Sequence, residues 1–172
     1  MPMNSHLRSA MDLVEAAAGR LPAHVLARPS DKKWSIAEIL EHVTLAFAGT
    51  SAVLEKSLSS GKLHARPAKL AQRIGRLLVV DVGYFPRVKA PEMTIPTGSI
   101  PPDRSVAAIR DALTVLDLTL TRVAERFGDE VAVANHPYFG GMSVEQWRKF
   151  HWRHTLHHMR QVQALAANTQ RT

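Results

Sequence analysis

Four histidines lie within eight residues near the end of the sequence, in the segment FHWRHTLHHMRQVQAL (residues 150–165). The segment contains no glycine or proline, which predicts a helix. At about 100° per residue, one face of that helix carries Trp147, His151, His154, His158, Gln161 and Leu165. The remaining histidine, His157, lies toward the flank. Three imidazoles are therefore predicted to face the interior.

Inward-facing imidazoles need polar partners, because imidazole tolerates burial only moderately. A divalent metal ion suits several neutral imidazoles at once. His154 and His158 are four residues apart, so both rings can reach one cation from one helix face, as the two histidines of H-E-x-x-H do. Thr155 stands where that motif has its glutamate, which argues against a zincin-type protease. A third ligand must come from elsewhere in the chain.

His42 is the other histidine that the pattern places in the interior. It is the last residue of the helical stretch WSIAEILEH and shares a stripe with Ile39 and Val53. A single histidine on an apolar face is more often a core residue satisfied by one hydrogen bond than a metal ligand. His42 is not the only inward-facing histidine, so both interpretations stay open at this point.

The elements that must position these histidines form an all-α pattern. Ser35 with Glu38 and Ser143 with Gln146 have the spacing of capping boxes, and each begins a long helix. Asp103 or Ser105 is the predicted N-cap of another, which Gly128 ends. The predicted helices cover residues 4–20, 35–58, 67–78 (short, with its basic residues outward), 103–127 and 143–165. We expect no strand.

Two connections carry residues of undecided role. Residues 82–103 contain five prolines and two glycines, so they cannot form a regular helix. A connection of this length is predicted either to form a lid or wall of a pocket or to be a plain crossover between helices. His136 precedes a proline in the second connection, where a pocket edge, a turn and a surface position are all open.

Composition limits the class of protein. A chain of 172 residues with 45% hydrophobic content is predicted to form one domain over residues 1–172. Neither a membrane-spanning run nor a signal peptide is expected, and the absence of cysteine excludes disulfides and thiolate metal sites. A cytoplasmic location follows as the expectation. The net charge of +7 is spread along the chain, which argues against nucleic acid as the main partner.

Two stretches resemble a known family. W-S-I-A-E-I-L-E-H in the second helix, together with the late H-T-L-H-H-M-R-Q, resembles the DinB-like (DinB/YfiT-like) superfamily. HPYFGGMSVEQWRKFHWRHTLHHMRQ resembles a branch of it known only as a domain of unknown function. The resemblance implies a four-helix bundle of the up-down-down-up type, here with a long proline-rich crossover and a short extra helix. It also implies a homodimer, with a divalent metal held by His42, His154 and His158.

The expected chemistry follows from this donor set. Three imidazoles without a thiolate suit Zn²⁺ or Ni²⁺, are also compatible with Fe or Mn, and leave at least one open coordination position. The sequence therefore predicts a metal-dependent enzyme acting on a small molecule, either a transferase using a low-molecular-weight thiol or a metal-assisted hydrolase. The alternative is a non-catalytic metal-binding or stress-related binding protein.

Two further residues on the inward face are expected to support the ligands. Gln161 could orient a ligand or a bound water. His151 could shuttle protons or be a hydrogen-bonded core residue, and the second role is favoured. The three tryptophans, Trp34, Trp147 and Trp152, are predicted to pack rather than to bind substrate.

Overall fold

The computed structural model describes residues 2–30, 34–86 and 89–169. These residues are mostly helical, and the predicted all-α class broadly fits. Their α-helices are α1 (Ser5–Ala18), α2 (Ala23–Leu26), α3 (Ile36–Ser60), α4 (Leu70–Arg76), α5 (Ser105–Phe127) and α6 (Val144–Thr169). A π-helical segment, Leu77–Val82, extends α4, and 3-10 turns occupy Glu92–Thr94 and Pro102–Arg104.

The long helices pack through their apolar faces. The most extensive interfaces join α3 to α5 and α1 to α6, and α3 also packs against α6. The core side chains recur at helical spacing, and burying each large aliphatic one contributes about 1.5–3 kcal/mol. Fully buried examples are Leu7, Leu40, Phe47, Leu54, Leu113, Leu120 and Met159. The contact between α3 and α6 brings the early and late histidines to the same part of the interior.

Two capping boxes fix where α3 and α6 begin, as predicted. The Glu38 N–H donates to the Ser35 hydroxyl at 3.2 Å, and the Ser35 N–H donates to the Glu38 carboxylate at 2.7 Å. At the start of α6 the Ser143 N–H donates to the Gln146 side-chain oxygen at 3.0 Å, and the Gln146 N–H donates to the Ser143 hydroxyl at 3.4 Å. These caps set where the two helices begin, while residues three or four apart share a face by helical spacing, and the packing of the apolar faces turns the histidines inward.

The predicted N-cap of α5 is wrong. A 3-10 turn, Pro102–Arg104, runs directly into the helix, and Arg104 is the capping residue without a side-chain cap. The Ser105 hydroxyl instead donates to the Pro101 carbonyl at 3.3 Å. Asp103 lies inside the 3-10 turn. The backbone is already turning before the helix, so no side-chain cap is needed there. Gly128 ends α5 as expected, with φ +91°.

The expectation of no strand is also wrong. Ala134–His136 pairs antiparallel with Gly140–Met142, in the register Ala134↔Met142 and His136↔Gly140. Gly140 has φ +67°, and a Cβ there would lie 2.8 Å from the Ala68 side chain, so glycine fits this turn. Strands of three residues are too short to show the alternation by which a strand is found in sequence.

The short helix α4 presents its apolar residues to solvent. The spacing of Leu70, Ile74, Leu77 and Leu78 predicts a short helix here, with its basic residues outward. The structure exposes all four of these side chains to solvent and buries those of Val79 and Val80. Lys69 and Arg73 face outward, but the Arg76 guanidinium donates to the Gly141 carbonyl at 2.6 Å. The inward side of this helix is thus set by the hairpin and not by its apolar stripe.

By length and composition alone, α3 could cross a membrane. More than half of its most apolar window is buried within the protein, however, as in the core helix of a soluble protein.

Candidate metal centre

His42 on α3 and His154 and His158 on α6 form one compact group. The Nε2 atoms of His42 and His154 are 3.2 Å apart, and those of His154 and His158 are 3.0 Å apart. The ligand atoms of all three lie within 4.8 Å of one another, so the group could hold a metal ion. His42 is 4% exposed and His158 is 8% exposed. We call this group the histidine triad.

Hydrogen bonds to the outer ring nitrogens set the tautomers of the histidine triad. The Nδ1–H of His42 donates to the Thr94 carbonyl at 2.7 Å, and the Nδ1–H of His158 donates to the Gln161 side-chain oxygen at 2.9 Å. A neutral imidazole with its proton on Nδ1 has a lone pair on Nε2. Two lone pairs therefore point toward the Nε2 atom of His154, which could donate a proton to only one of them.

A cation fits this arrangement better than a third ring proton does. His154 has its Nδ1 buried without a partner among the described residues, whichever nitrogen holds the proton. With its proton on Nδ1, His154 would offer a third Nε2 lone pair, 3.2 and 3.0 Å from the Nε2 atoms of His42 and His158, and three imidazole nitrogens are the donor set of an imidazole-bound divalent ion. Hydrogen bonds from the outer nitrogens to a carbonyl or an amide oxygen are the usual supports of such ligands.

The pKa values of the triad keep the rings neutral. Burial lowers the pKa of His42 below its ordinary 6.5, against a raising effect of the Thr94 hydrogen bond. Burial, followed by the proximity of His42, lowers the pKa of His158 to about 3. For His154 the pKa lies well below 6.5, through burial and then the neighbouring rings of the triad. The neutral form is the one that binds metal.

A cavity of about 490 Å³ lies beside the triad. Its wall is mainly aromatic and apolar, and it contains all three histidines of the triad together with His157 and Gln161. The remaining lining residues are Trp34, Phe85, Pro86, Lys89, Ala90, Pro91, His136, Tyr138, Phe139 and Phe150. A small molecule could therefore reach the triad from this side.

The proline-rich segment is a wall of this cavity and more than a crossover. Its described residues Phe85, Pro86 and Pro91 line the cavity, and residues 87–88 lie outside the described part of the chain. The Tyr138 hydroxyl donates to the Lys89 carbonyl at 2.9 Å, which ties the segment to the hairpin. As predicted, no regular α-helix forms within its described residues. The same segment supplies the Thr94 carbonyl that orients His42.

His136 lies at the edge of the cavity, one of the three positions left open by the sequence. Its ring stacks on Phe139 at 4.3 Å and meets Phe150 edge-on at 4.7 Å. Burial lowers its pKa to about 4, and its Nδ1 accepts from the Tyr138 N–H at 3.1 Å. A neutral His136 therefore contributes to the aromatic wall and is not part of the triad.

The side chains predicted to pack do so. Trp147 is buried, and Trp152 stacks on His6 with ring centres 5.3 Å apart. Trp34 also lines the cavity, with its ring 5.0 Å from that of His42. Trp34 could thus touch a ligand as well as pack.

Glu41 is a buried carboxylate that sequence reasoning missed. It is 1% exposed and accepts backbone N–H bonds from Thr97, Gly98 and Ser99 at 2.9–3.2 Å. The hydroxyls of Thr97 and Ser99 donate to it as well, at 3.2 and 2.8 Å. Burial alone would raise its pKa, but the hydrogen bonds from Ser99, Thr97 and Gly98 outweigh burial and hold the pKa below its ordinary value.

This carboxylate fixes the loop that orients His42. The loop bound by Glu41 begins three residues after Thr94, whose carbonyl holds the His42 ring. Gly98 has φ +74° there, which lets successive N–H groups point at one anion. The sequence carries no local signal for this contact, because a glutamate on a helix is normally exposed.

His151 is a hydrogen-bonded core residue, the favoured of its two predicted roles. It is fully buried, and its Nε2–H donates to the Thr50 hydroxyl at 3.1 Å while that hydroxyl donates to the Ala46 carbonyl at 3.0 Å. The ring lies against Trp147 and Phe47 at 5.6 and 5.1 Å. Burial, and secondarily His136, lower its pKa to about 3.

This buried ring predicts a loss of stability in acid. Between pH 6.5 and about 3 the unfolded chain protonates His151 and the folded chain does not, so stability falls as the pH falls. We expect the free energy of unfolding of His151→Gln to fall by about 1.6 kcal/mol less than that of the wild type between pH 6.5 and pH 5, because the slope approaches about 1.4 kcal/mol per pH unit only below pH 6.5. Urea unfolding of both proteins in a chelator, so that metal release does not contribute, measures this difference.

The matched control for this prediction is the exposed His24, changed to Gln. The free energy of unfolding of this His24→Gln variant should depend on pH as that of the wild type does. Parallel curves for the wild type and His151→Gln would contradict the neutral, buried state of His151.

The fold and the triad together define a mostly helical protein with a three-histidine group that could hold a metal ion. The chain belongs to the family described as Protein of unknown function (DUF1569), whose profile matches residues 9–164. No curated protein and no solved structure matches the chain.

Proposed function

We propose that this protein is a metal-dependent enzyme of the DinB-like superfamily. His42, His154 and His158 would hold one divalent ion, with Zn²⁺ or Ni²⁺ preferred by three imidazoles and Fe or Mn also compatible. The observation that supports this most directly is that one ring nitrogen of each of the three histidines lies within 4.8 Å of the others, beside a cavity. Three protein ligands leave room for a further one, as in catalytic sites.

The proposed reaction is transfer of a low-molecular-weight thiol or hydrolysis of a small substrate. A divalent ion, when bound, supplies Lewis acidity that favours deprotonation of a water or a thiol at neutral pH. The chain's own contribution is to hold the ligand rings in the correct tautomer through Thr94 and Gln161. The aromatic wall, including Phe85 and Phe150, limits the access of bulk water to the triad.

Two polar groups on the wall could bind the substrate. The Gln161 NH₂ donates to His157 Nε2 at 3.1 Å, and the His157 ring stacks on Phe85 at 4.8 Å, so His157 is held at the cavity surface. Lys89 also lines the cavity and is exposed. A substrate with an apolar body and an anionic group would match this mixture of aromatic rings and one ammonium group.

One observation favours a second candidate, a metal-binding protein without catalysis. The residues that line the cavity include no aspartate or glutamate in the described part of the chain. Hydrolysis would therefore have to use an imidazole as the general base, and the basic Nε2 of His157 already accepts from Gln161. A binding role needs no such group.

Metal content and turnover of the same preparations test the proposal. Protein purified without a nickel column should contain about one divalent ion per chain, and His42→Ala should contain almost none. The wild type should convert a panel of ester, phosphoester and thiol-reactive electrophiles in a thiol- or water-dependent way, and His42→Ala should not. Full metal content in His42→Ala would overturn the ligand assignment. Stoichiometric metal with no turnover on any substrate would instead favour the binding role.

A further inference from the structure

A second cavity, of about 270 Å³, also reaches the histidine triad. His42 and His154 of the triad line it, and we call it the α3 groove. Its other walls are further residues of α3 and α6, the loop that contains Thr94, and the first strand of the hairpin. The triad therefore borders both this groove and the 490 Å³ cavity described above.

One face of α3 forms the floor of the groove. The residues of this face that line the groove are His42, Ala46, Gly49 and Val53. Successive members of the row are four, three and four residues apart, which is the spacing at which side chains share a helix face. At a rise of about 1.5 Å per residue, the row extends about 16 Å from His42 to Val53. The groove thus leads away from the triad along the helix and offers an elongated space.

Gly49 lies in the middle of this row, and nothing around it requires a glycine. A Cβ atom at this position would meet no described atom within 4 Å, and Gly49 is not among the described glycines with positive φ. Glycine inside a helix is less favourable than alanine, because it loses more conformational freedom on folding. The missing side chain leaves open space in the floor of the groove, which a bound molecule can fill.

The α3 groove is uncharged. Among the described residues that line it there is no aspartate, glutamate, lysine or arginine, whereas Lys89 lines the 490 Å³ cavity. Two large apolar side chains of the groove, Val53 and Met93, are 42% and 68% exposed. An apolar molecule in the groove would remove them from water. A charged molecule would lose its hydration there without gaining an opposite charge.

We propose that the α3 groove binds an unbranched alkyl chain of the molecule whose polar head lies at the histidine triad. The proposal adds a substrate class to the proposed function, compounds with a linear apolar chain, and it rests on that function for the head group alone. The volume of about 270 Å³ is roughly nine times that of one water in the liquid, about 30 Å³. A methylene group is of similar size, so a chain of about six to nine carbons would fill the groove.

Linear alkyl hydroxamates test the proposal, because the hydroxamate head binds divalent metal ions and the chain can be lengthened without changing the head. With the Zn²⁺-loaded protein, the affinity measured by isothermal titration should rise about threefold for each added methylene, as expected for its burial. The rise should stop at about eight carbons, where the groove is full. Metal-free protein should show the same dependence on chain length at a lower overall affinity.

Gly49→Leu fills the groove and is the decisive variant. Its Cβ meets open space and leucine favours a helix, so the variant should fold with a Tm at least as high as that of the wild type. It should bind octanohydroxamate at least about 10-fold more weakly than the wild type, while its affinities for Zn²⁺ and acetohydroxamate stay within about twofold. Ala52→Leu, at an exposed position of the same helix, should leave all three affinities unchanged.

The outcomes separate the groove from the metal. If acetohydroxamate binds the Zn²⁺-loaded protein but longer chains add no affinity, the inference is overturned while the proposed metal site stands. A dependence on chain length that Gly49→Leu retains also overturns it, because the chain then lies elsewhere, as in the 490 Å³ cavity. If Zn²⁺ raises the affinity for no hydroxamate, the proposed function fails. The chain-length dependence of the metal-free protein, and its loss in Gly49→Leu, then still decide the inference.

Discussion

Replacing His154 with alanine is expected to lower the affinity of the protein for Zn²⁺ by more than about 100-fold. Loss of a group that merely orients a ligand costs about 10–100-fold, and the loss of a ligand should cost more. His154 is the central member of the triad, since its Nε2 lies 3.2 and 3.0 Å from those of His42 and His158. Isothermal titration of metal-free protein with Zn²⁺ measures the change.

The matched control is His157→Ala on the same helix. His157 lines the same cavity, but its Nε2 accepts from Gln161 and lies outside the triad. Replacing His157 should weaken Zn²⁺ binding by less than about 10-fold. The effect would arise because Gln161, which accepts from His158, loses its hydrogen bond to His157. Equal losses in the two variants would show that the ion is not held by the triad.

Replacing Glu41 with glutamine is expected to destabilise the fold by about 3 kcal/mol, because hydrogen bonds to a charged group contribute about 1.5–3 kcal/mol and a buried donor left without an acceptor costs about 1–3 kcal/mol. An amide in this position turns an NH₂ group toward donors that need an acceptor. The loop at residues 97–99 should then loosen, and with it the Thr94 carbonyl that holds His42. Zn²⁺ affinity should therefore fall by about 10-fold as well. Urea unfolding monitored by circular dichroism gives the first quantity, and metal titration gives the second.

Glu55→Gln on the same helix provides the comparison. The Glu55 carboxylate binds Arg122 at 2.7 Å, but it is 44% exposed, so its loss should cost less than about 1 kcal/mol. It is also remote from the loop that orients His42, so metal affinity should not change. If both glutamine variants lost the same stability, the buried network around Glu41 would contribute nothing beyond a surface pair.

The features that could be predicted from sequence are those that short stretches determine. The capping boxes at Ser35 and Ser143 follow from two residues three apart, and they mark where α3 and α6 begin. Helical spacing alone then puts His154 and His158 on one face. That His42 approaches them could only be inferred from the resemblance, because helical periodicity does not say which helices pack together.

The missed features depend on contacts between distant segments. The residues bound by Glu41 lie 56 to 58 positions from it along the chain, and no local sequence pattern indicates such a contact. The spacing of Leu70, Ile74, Leu77 and Leu78 predicts a helix, but it cannot tell which side of α4 meets the protein, and here the hairpin lies against the polar side through Arg76. The hairpin itself is too short for a pattern, and whether the long helices form the up-down-down-up bundle stays a prediction.

His42 and His154 lie 112 positions apart along the chain and on different helices. An unfolded chain scatters these donors, so an ion held by the triad would bind the folded state alone. Thermodynamic linkage then adds about 2.7 kcal/mol to folding at an ion concentration 100 times the dissociation constant, and about 4.1 kcal/mol at 1,000 times. The supply of the ion would thus govern how often the chain opens to proteases, and the protein's lifetime would rise and fall with nutrient metal.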